Sequence, residues 1–321
     1  MRKIQSYMAA IACFLLAAFL VLGCGSKESQ APVAPKKPRI ALIMKSLANE
    51  FFMTMEKGAR ELHATHADQF DLVVNGTKDE SDMGRQTELV DQMIAQRVDA
   101  IVIAPADSKA LVAVCKKAQD AGIVVVNIDN KLDDAVLKDK GVRIPFVGPD
   151  NRKAARAVGE YLAKNLSPGA PVAIVEGVPT AFNAQQRKLG FEDAMNAAGM
   201  KIVTSQSAGW EMDKANQVVA AMITEHPDLR AVLCANDSMA LGAVSALKAA
   251  NKSDAVLVVG FDNISAVHDL VKEGKIVATA DQLADQLASF GIEYALEMLA
   301  KKGTPADRET PVALITKETI K

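Results

Sequence analysis

Short runs of Val and Ile, alternating with segments of helical period, constrain the fold of this chain most. The runs lie at Ile40–Met44, Leu72–Val74, Ala100–Ile103, Val124–Ile128, Phe146–Val147, Val172–Val175, Ile202–Thr204, Ala231–Leu233, Val256–Val259, Ile276–Thr279 and Val312–Ile315. Most lack polar alternation, which is typical of parallel strands covered by helices on both faces. Apolar residues recur with a helical period over 84–96, 184–198 and 283–300. The pattern predicts an α/β chain with two doubly wound parallel sheets.

The N-terminal segment predicts export. Residues 2 and 3 are basic, and residues 8–22 are apolar and uncharged, as in a secretory signal and on the short side for a stable membrane span. The sequence VLGC at 21–24 resembles the bacterial lipobox, a signal whose cysteine, here Cys24, becomes the lipidated first residue. An uncleaved membrane anchor is the alternative. Both interpretations export the rest of the chain.

Residues 25–38 contain three prolines and show no apolar periodicity, so we interpret them as a tether between the signal (1–24) and a folded body. The formal net charge of −2 gives no support to a nucleic-acid binder. The four cysteines are far apart and form no CxxC pair, which argues against a structural zinc site. We expect Cys115 and Cys234 to be inert core thiols. No sequence motif implies a cofactor.

Polar and aromatic side chains follow most of the predicted strands. In doubly wound sheets, ligands bind where the carboxyl ends of the strands lead into helices. The loops at that edge contain 45–52, 129–130, 183–187, 210, 236–238, 262–263 and 281–282. Sugar hydroxyls donate to carboxylates and accept from Arg, Lys and Asn, while the C–H faces of sugars pack on aromatic rings. The loops therefore predict a site for a sugar-like ligand.

Individual residues of these loops also have purely structural interpretations. Asp237 is expected to cap the helix that follows it. Phe51 and Phe52 can equally belong to the core, and Arg187 can be a solvated charge on a helix. The prediction of a site depends on the convergence of all the loops at one edge.

The chain from Ile40 to its C-terminus resembles the periplasmic monosaccharide-binding proteins of the ribose and allose type. The resemblance rests on the segments IALIMKSLANEFF, VVVNIDNK, FVGPDN, QRKLGF, VLCANDSMALGA, VLVVGFD and ATADQLADQ. Parts of two segments also occur in sugar-responsive repressors. Those begin with a helix-turn-helix domain, whose place is taken here by the signal and the tether.

The resemblance implies a sugar-binding role for specific residues. Matched to the family's motifs, the ligand-binding residues are Lys45, Asn49, Phe51, Phe52, Asp129, Asn130, Arg187, Trp210, Asn236, Asp262 and Gln282. Two of them depart from the ribose pattern: Asn130 stands where an arginine is expected, and Lys45 is similar to the allose type. A pentose would leave the buried Lys45 ammonium with too few acceptors, which favours a hexose or a hexose-like polyol.

The resemblance also implies two lobes joined by a three-segment hinge. The first lobe is expected to comprise 39–149 and 283–313, and the second 150–282 and 314–321. A ligand that contacts both lobes favours their closure, which a membrane permease and its ATPase then read. We expect an exported monomer that binds a monosaccharide, is held at the membrane through Cys24, and is not an enzyme.

Two other functions stay open at this point. A sensory receptor could present the same ligand to a chemoreceptor or a kinase, and the sequence does not separate it from an importer. An exported enzyme acting on sugars is disfavoured, because no pair of groups for general acid and base catalysis stands out.

Overall fold

A computed structural model describes residues 37–80, 82–302 and 304–320. The predicted signal peptide, the lipidation site Cys24 and the tether up to residue 36 lie outside the described residues. None of the described helices is long and apolar enough to span a bilayer.

The first sheet contains six strands, all parallel to their neighbours. They are β1 (Arg39–Met44), β2 (Asp71–Gly76), β3 (Ala100–Ile103), β4 (Val124–Ile128), β5 (Phe146–Gly148) and β11 (Arg308–Glu309), in the order β11-β5-β4-β3-β1-β2. The helices that accompany them are α1 (Glu50–Thr65), α2 (Met83–Ala95), α3 (Val112–Asp120), α4 (Asp134–Asp139) and, from later in the chain, α10 (Ala284–Leu299).

The second sheet repeats the strand order of the first, β12-β10-β9-β8-β6-β7. Its strands are β6 (Pro171–Glu176), β7 (Lys201–Ser207), β8 (Ala231–Cys234), β9 (Leu257–Val259), β10 (Ala278–Asp281) and β12 (Ala313–Thr316). Its helices are α5 (Asn151–Ala163), α6 (Phe182–Ala197), α7 (Met212–Glu225), α8 (Asp237–Ala249) and α9 (His268–Lys272), the last preceded by a 3₁₀ turn at Ser265–Val267. The prediction of two α/β lobes with doubly wound sheets is confirmed.

Burial explains why the central strands carry uninterrupted apolar runs. Every residue of β3 and β8 is buried, whereas the edge strands β2 and β7 are half-buried and carry polar residues. Helices cover both faces of the central strands, so no polar face is needed there. Cys115 and Cys234 are free and buried in opposite lobes, as expected, and burial raises the pKa of the Cys115 thiol to about 12.

Three details differ from the sequence-based expectation. The final strand β12 pairs antiparallel with β10, so the second sheet is not wholly parallel. Strand β11 was not predicted, because a two-residue strand carries no periodicity. Strand β10 begins two residues later than predicted, at Ala278.

The chain passes between the sheets three times. It leaves the first sheet after β5, returns from β10 to α10, and crosses again between β11 and β12. The last crossing precedes Ala313, which pairs with Asp281 in the second sheet. The sequence analysis placed Ala313 in the first lobe, and the pairing corrects that boundary.

Candidate functional site

A cavity of about 220 Å³ lies between the two lobes, at the carboxyl ends of both sets of strands. It is lined by Lys45, Asn49, Phe51, Phe52, Glu80, Asp129, Asn183, Arg187, Trp210, Asn236, Asp262 and Gln282. The cavity therefore suits one small ligand contacted by both lobes.

The first turn of α1 brings aromatic rings to the cavity. Asn49 caps this helix, since its side-chain oxygen accepts from the Phe51 backbone N–H at 3.0 Å. The Asn49 amide donates to Glu80 Oε1 at 2.8 Å, which fixes the side chain in the wall. The rings of Phe51 and Phe52 pack edge to face, 5.1 Å between centroids. Both are buried and line the cavity, so they serve the core and the site together.

A buried charge cluster occupies the first-lobe wall. Lys45 Nζ lies 3.0 Å from Asp129 Oδ2 and 3.4 Å from Glu80 Oε2, with all three side chains almost fully buried. Burial acts to lower the pKa of Lys45, but the two carboxylates outweigh it and raise that pKa above its ordinary value. Burial raises the pKa of Glu80 despite the attraction of Lys45. Lys45 therefore stays an ammonium and forms ion pairs with both carboxylates.

This pairing corrects the physical argument for a hexose. The sequence analysis assumed that Lys45 would lack acceptors beside a pentose, whereas its ammonium already forms ion pairs with Asp129 and Glu80, although Asp129 Oδ2 has no hydrogen-bond partner among the described residues. The charge of Lys45 is therefore balanced by carboxylates of the same wall before any ligand binds.

The loop after β4 holds Asp129 in a left-handed conformation, with φ of 61°. A non-glycine residue adopts this region only where the surroundings impose it. Asn127 does so here: its amide donates to the Asn130 carbonyl at 2.8 Å, and its side-chain oxygen accepts from the Leu132 N–H at 2.7 Å. These bonds turn the chain so that Asp129 faces Lys45.

Arg187 is the buried cation of the second-lobe wall. Its Nε donates to Asn151 Oδ1 at 2.8 Å, and its Nη1 donates to the Ala235 carbonyl at 2.9 Å and to Asp262 Oδ1 at 3.4 Å. The guanidinium carbon lies 3.8 Å from the centroid of the Phe261 ring. The possibility that Arg187 is a solvated charge is thereby excluded.

Asp262 is held in a strained backbone conformation, with φ of 118°. Its N–H donates to the Ala280 carbonyl at 2.7 Å, and its Oδ1 accepts from Gln282 Nε2 at 2.7 Å. Burial raises the pKa of Asp262 well above its ordinary value, although Arg187 opposes the shift. Strain of this kind concentrates at functional sites.

Trp210 faces the first lobe across the cavity. Its ring centroid is 5.6 Å from Lys45 Nζ and 5.5 Å from the guanidinium carbon of Arg187, within range of cation–π attraction. Gly177 permits this position, because a Cβ there would lie 2.2 Å from the indole ring. The only tryptophan of the chain therefore touches cations of both lobes.

Two amide oxygens of the wall are buried without a hydrogen-bond partner among the described residues. They are Asn183 Oδ1 in the first turn of α6 and Gln282 Oε1 after β10. A buried polar group left unpaired costs about 1–3 kcal/mol. Both are acceptors, so the group that satisfies them has to be a donor such as a hydroxyl.

Asn236, and not Asp237, caps α8. Asn236 Oδ1 accepts from the Met239 N–H at 2.8 Å, which overturns the expectation for Asp237. The carboxylate of Asp237 accepts instead from the Ile264 N–H at 3.1 Å and from the Thr279 hydroxyl at 2.9 Å. Burial raises the pKa of Asp237 to about 7, against these hydrogen bonds.

The structure brings ten of the eleven residues predicted for ligand binding to the cavity. Asn130 is the exception: its amide donates to the Pro105 carbonyl, and its side-chain oxygen accepts from Ser108 and from the backbone of Asn183. Sequence reasoning missed two lining residues. Asn183 was noted only as part of a polar loop, and Glu80 follows an edge strand whose loop gave no signal.

Comparison with known proteins agrees with this geometry. Residues 40–303 match the family described as periplasmic binding protein domain. The chain belongs to this family, with its type I fold of two α/β lobes around a ligand cavity, and is a binding protein and not an enzyme. The resemblance stated from the sequence is confirmed.

The similar proteins include a sugar-binding protein and two solved solute-binding proteins of ABC transporters. A D-ribose/D-allose-binding protein of Pseudomonas aeruginosa is 58% identical over 309 residues, which are 94% of this chain and 97% of that protein. A solved solute-binding protein of an ABC transporter from Burkholderia multivorans is 59% identical, with a TM-score of 0.86 over 88% of this chain and 100% of that one. Another, from Actinobacillus succinogenes with bound D-allose, is 36% identical, with a TM-score of 0.82 over 88% and 98%.

Proposed function

We propose that this protein is the extracytoplasmic substrate-binding component of an ABC sugar importer and that it binds one monosaccharide between its lobes. The carrying observation is the pair of unpartnered acceptors, Asn183 Oδ1 and Gln282 Oε1, in a cavity that also contains charged donors and aromatic rings. Sugar hydroxyls satisfy such acceptors, and sugar C–H faces pack on aromatic rings.

The ligand class follows from the first-lobe wall. Lys45, which the sequence analysis found similar to the allose type, lies in this wall and forms ion pairs with Asp129 and Glu80. The similar Pseudomonas protein is named for both D-ribose and D-allose. We therefore assign this site to aldoses of that type, with D-allose bound more tightly than D-ribose.

Titration calorimetry with D-allose, D-ribose and an uncharged disaccharide of glucose tests this assignment. We expect binding of the first two, tighter for D-allose, and none of the disaccharide, which exceeds the cavity. Trp210 emission should change with each bound sugar, since this is the only tryptophan. If neither aldose binds or shifts thermal unfolding, the proposal is wrong. If D-ribose binds as tightly as D-allose, only the preference is wrong.

The family relationship further supports an exported protein that delivers its ligand, as a monomer, to a membrane permease driven by an ATPase. The sequence VLGC at 21–24 supports attachment through a lipidated Cys24. Labelling cells with a fatty-acid analogue checks the anchor: the wild type should carry the label and Cys24→Ala should not. Equal label on both proteins would contradict lipidation and would leave sugar binding unaffected.

A further inference from the structure

Helix α6 of the second lobe begins without a capping side chain of its own. Its N-cap residue is Ala181, whose methyl group cannot accept a hydrogen bond. The first N–H groups of a helix have no partner within the helix. Here side chains of the first lobe accept hydrogen bonds from two of these N–H groups. Phe182 N–H donates to Ser108 Oγ at 2.9 Å, and Asn183 N–H donates to Asn130 Oδ1 at 3.1 Å.

The two first-lobe acceptors are held in place within their own lobe. The Asn130 amide donates to the Pro105 carbonyl at 2.9 Å, and the Ser108 hydroxyl donates to Asn130 Oδ1 at 3.3 Å. Both residues are buried. Their orientation is therefore set by first-lobe contacts, and not by the second lobe that they cap.

A matching contact lies at a second place between the lobes. The Ser265 N–H, at the start of the 3₁₀ turn of the second lobe, donates to Glu50 Oε1 of the first lobe at 2.7 Å. The residue before that turn is Ile264, whose side chain cannot accept. Again a backbone donor of the second lobe is satisfied by a first-lobe side chain.

We propose that Ser108, Asn130 and Glu50 form an interlobe clasp, a set of positioning residues that stabilises the closed arrangement without lining the cavity. The inference rests on the proposed function, in which closure accompanies binding. It assigns Asn130 a role in place of the ligand contact expected from the sequence.

The clasp predicts a specific signature in binding. When the lobes separate, the N–H groups of Phe182, Asn183 and Ser265 lose their protein acceptors and form hydrogen bonds with water instead. The clasp bonds thus favour closure by the same amount for every ligand, and apparent affinity scales with the population of the closed state. Weakening the clasp should weaken all sugars equally and leave the ratio of their affinities unchanged.

Two pairs of variants test this, each with a control that keeps the acceptor. Ser108→Ala removes the hydroxyl and Ser108→Thr retains it; Glu50→Ala removes the carboxyl oxygen and Glu50→Gln retains one. We expect each Ala variant to bind D-allose and D-ribose about two- to tenfold more weakly, the range of one hydrogen bond. The loss should appear as faster dissociation, with the affinity ratio of the two sugars unchanged. The Thr and Gln variants should stay within about twofold of wild type.

Normal affinity in both Ala variants, or a changed ratio of the two sugars, would overturn the clasp. Thermal unfolding of the sugar-free proteins identifies a variant that does not fold. If Ser108→Ala does not fold, the comparison of Glu50→Ala with Glu50→Gln, at a half-buried residue, decides whether the clasp exists. If neither sugar binds wild type, the proposed function fails, and X-ray scattering tests the clasp separately. A larger radius of gyration in the Ala variants than in their Thr and Gln counterparts supports it, and equal radii refute it.

Discussion

The two walls of the cavity differ in whether their polar groups already have partners within the protein. In the first-lobe wall, Lys45 is paired with Asp129 and Glu80, so the charges there largely satisfy one another. In the second-lobe wall and at the hinge, Arg187 is engaged by its neighbours, while two neutral amide oxygens have no partner within the described chain.

The difference assigns different tasks to the two walls. A neutral sugar can enter beside the charge cluster of the first lobe without leaving an ion unpaired, because the ions already pair with one another. The unpartnered amide oxygens of the other wall can accept hydrogen bonds from sugar hydroxyls. We therefore expect substitutions in the first-lobe wall to affect stability and binding together, and substitutions of the open acceptors to affect binding alone.

Lys45→Met should have the largest effect. It removes the cation between Glu80 and Asp129 and leaves two buried carboxylates together, and removal of one partner of a buried pair costs about 3–5 kcal/mol. We expect a loss of this size in the free energy of unfolding, measured with urea, and weaker binding of both aldoses.

Lys57→Met is the matched control, since Lys57 lies in the first lobe with an exposed side chain. Its cost should stay within about 0.5 kcal/mol. Adding Glu80→Gln to Lys45→Met should recover part of the stability. A Lys45→Met protein that is as stable as wild type but discriminates between the sugars differently would show that the cluster serves recognition and not neutralisation.

The fold could be predicted from the sequence because buried parallel strands leave a local signature. Runs such as Ala100–Ile103 need no alternation when helices cover both faces, and this predicted run coincides with strand β3. The antiparallel return of β12 and the two-residue strand β11 could not be predicted. Both depend on pairing partners distant in the sequence, and neither changes the local apolar pattern.

The site could be predicted as far as topology determines it. Residues that follow strands arrive at one edge whatever their side chains do, which explains why ten of eleven line the cavity. Position in a loop does not reveal hydrogen-bond partners. Asn130 follows a strand end yet turns toward Pro105 and α6, while Glu80 reaches the cavity through an ion pair with Lys45.

The next largest expected effect is a pH dependence of the free energy of unfolding. It arises from Asp237 of the second lobe. The pKa of Asp237 is raised to about 7 by burial, so the folded protein holds a proton that the unfolded chain has released above about pH 4. The stability from this group is complete below the unfolded pKa and is lost as pH rises through about 7. The free energy of unfolding should therefore fall by about 2 kcal/mol between pH 5 and 7 because of Asp237.

Asp237→Asn isolates this contribution, because an amide does not titrate. Urea unfolding of sugar-free wild type and variant at pH 5, 6, 7 and 8 should show that the free energy of unfolding of wild type falls by about 2 kcal/mol more than that of the variant between pH 5 and 7. The exposed Asp254, changed to Asn in the same lobe, is the control and should run parallel to wild type. Parallel curves for Asp237→Asn as well would mean that the raised pKa does not govern stability in this range.

The smallest expected effect tests the open acceptors. Asn183→Ala removes an amide oxygen that has no partner among the described residues of the sugar-free protein, so its loss should not lower the free energy of unfolding. Alanine also favours the helix that Asn183 occupies. Binding should weaken by about 0.5–1.5 kcal/mol, the net contribution of one hydrogen bond, as measured by calorimetry with D-allose.

Asn196→Ala makes the same change on the exposed face of α6 and should leave affinity unaltered. The backbone N–H at position 183 stays available to Asn130 in Asn183→Ala, so the interlobe clasp is preserved while the side-chain acceptor is lost. A variant that loses stability in step with affinity would place Asn183 among the structural residues of the wall. The contrast between a charge-neutralised first wall and an open second wall would then fail at this residue, because both walls would respond to substitution in the same way.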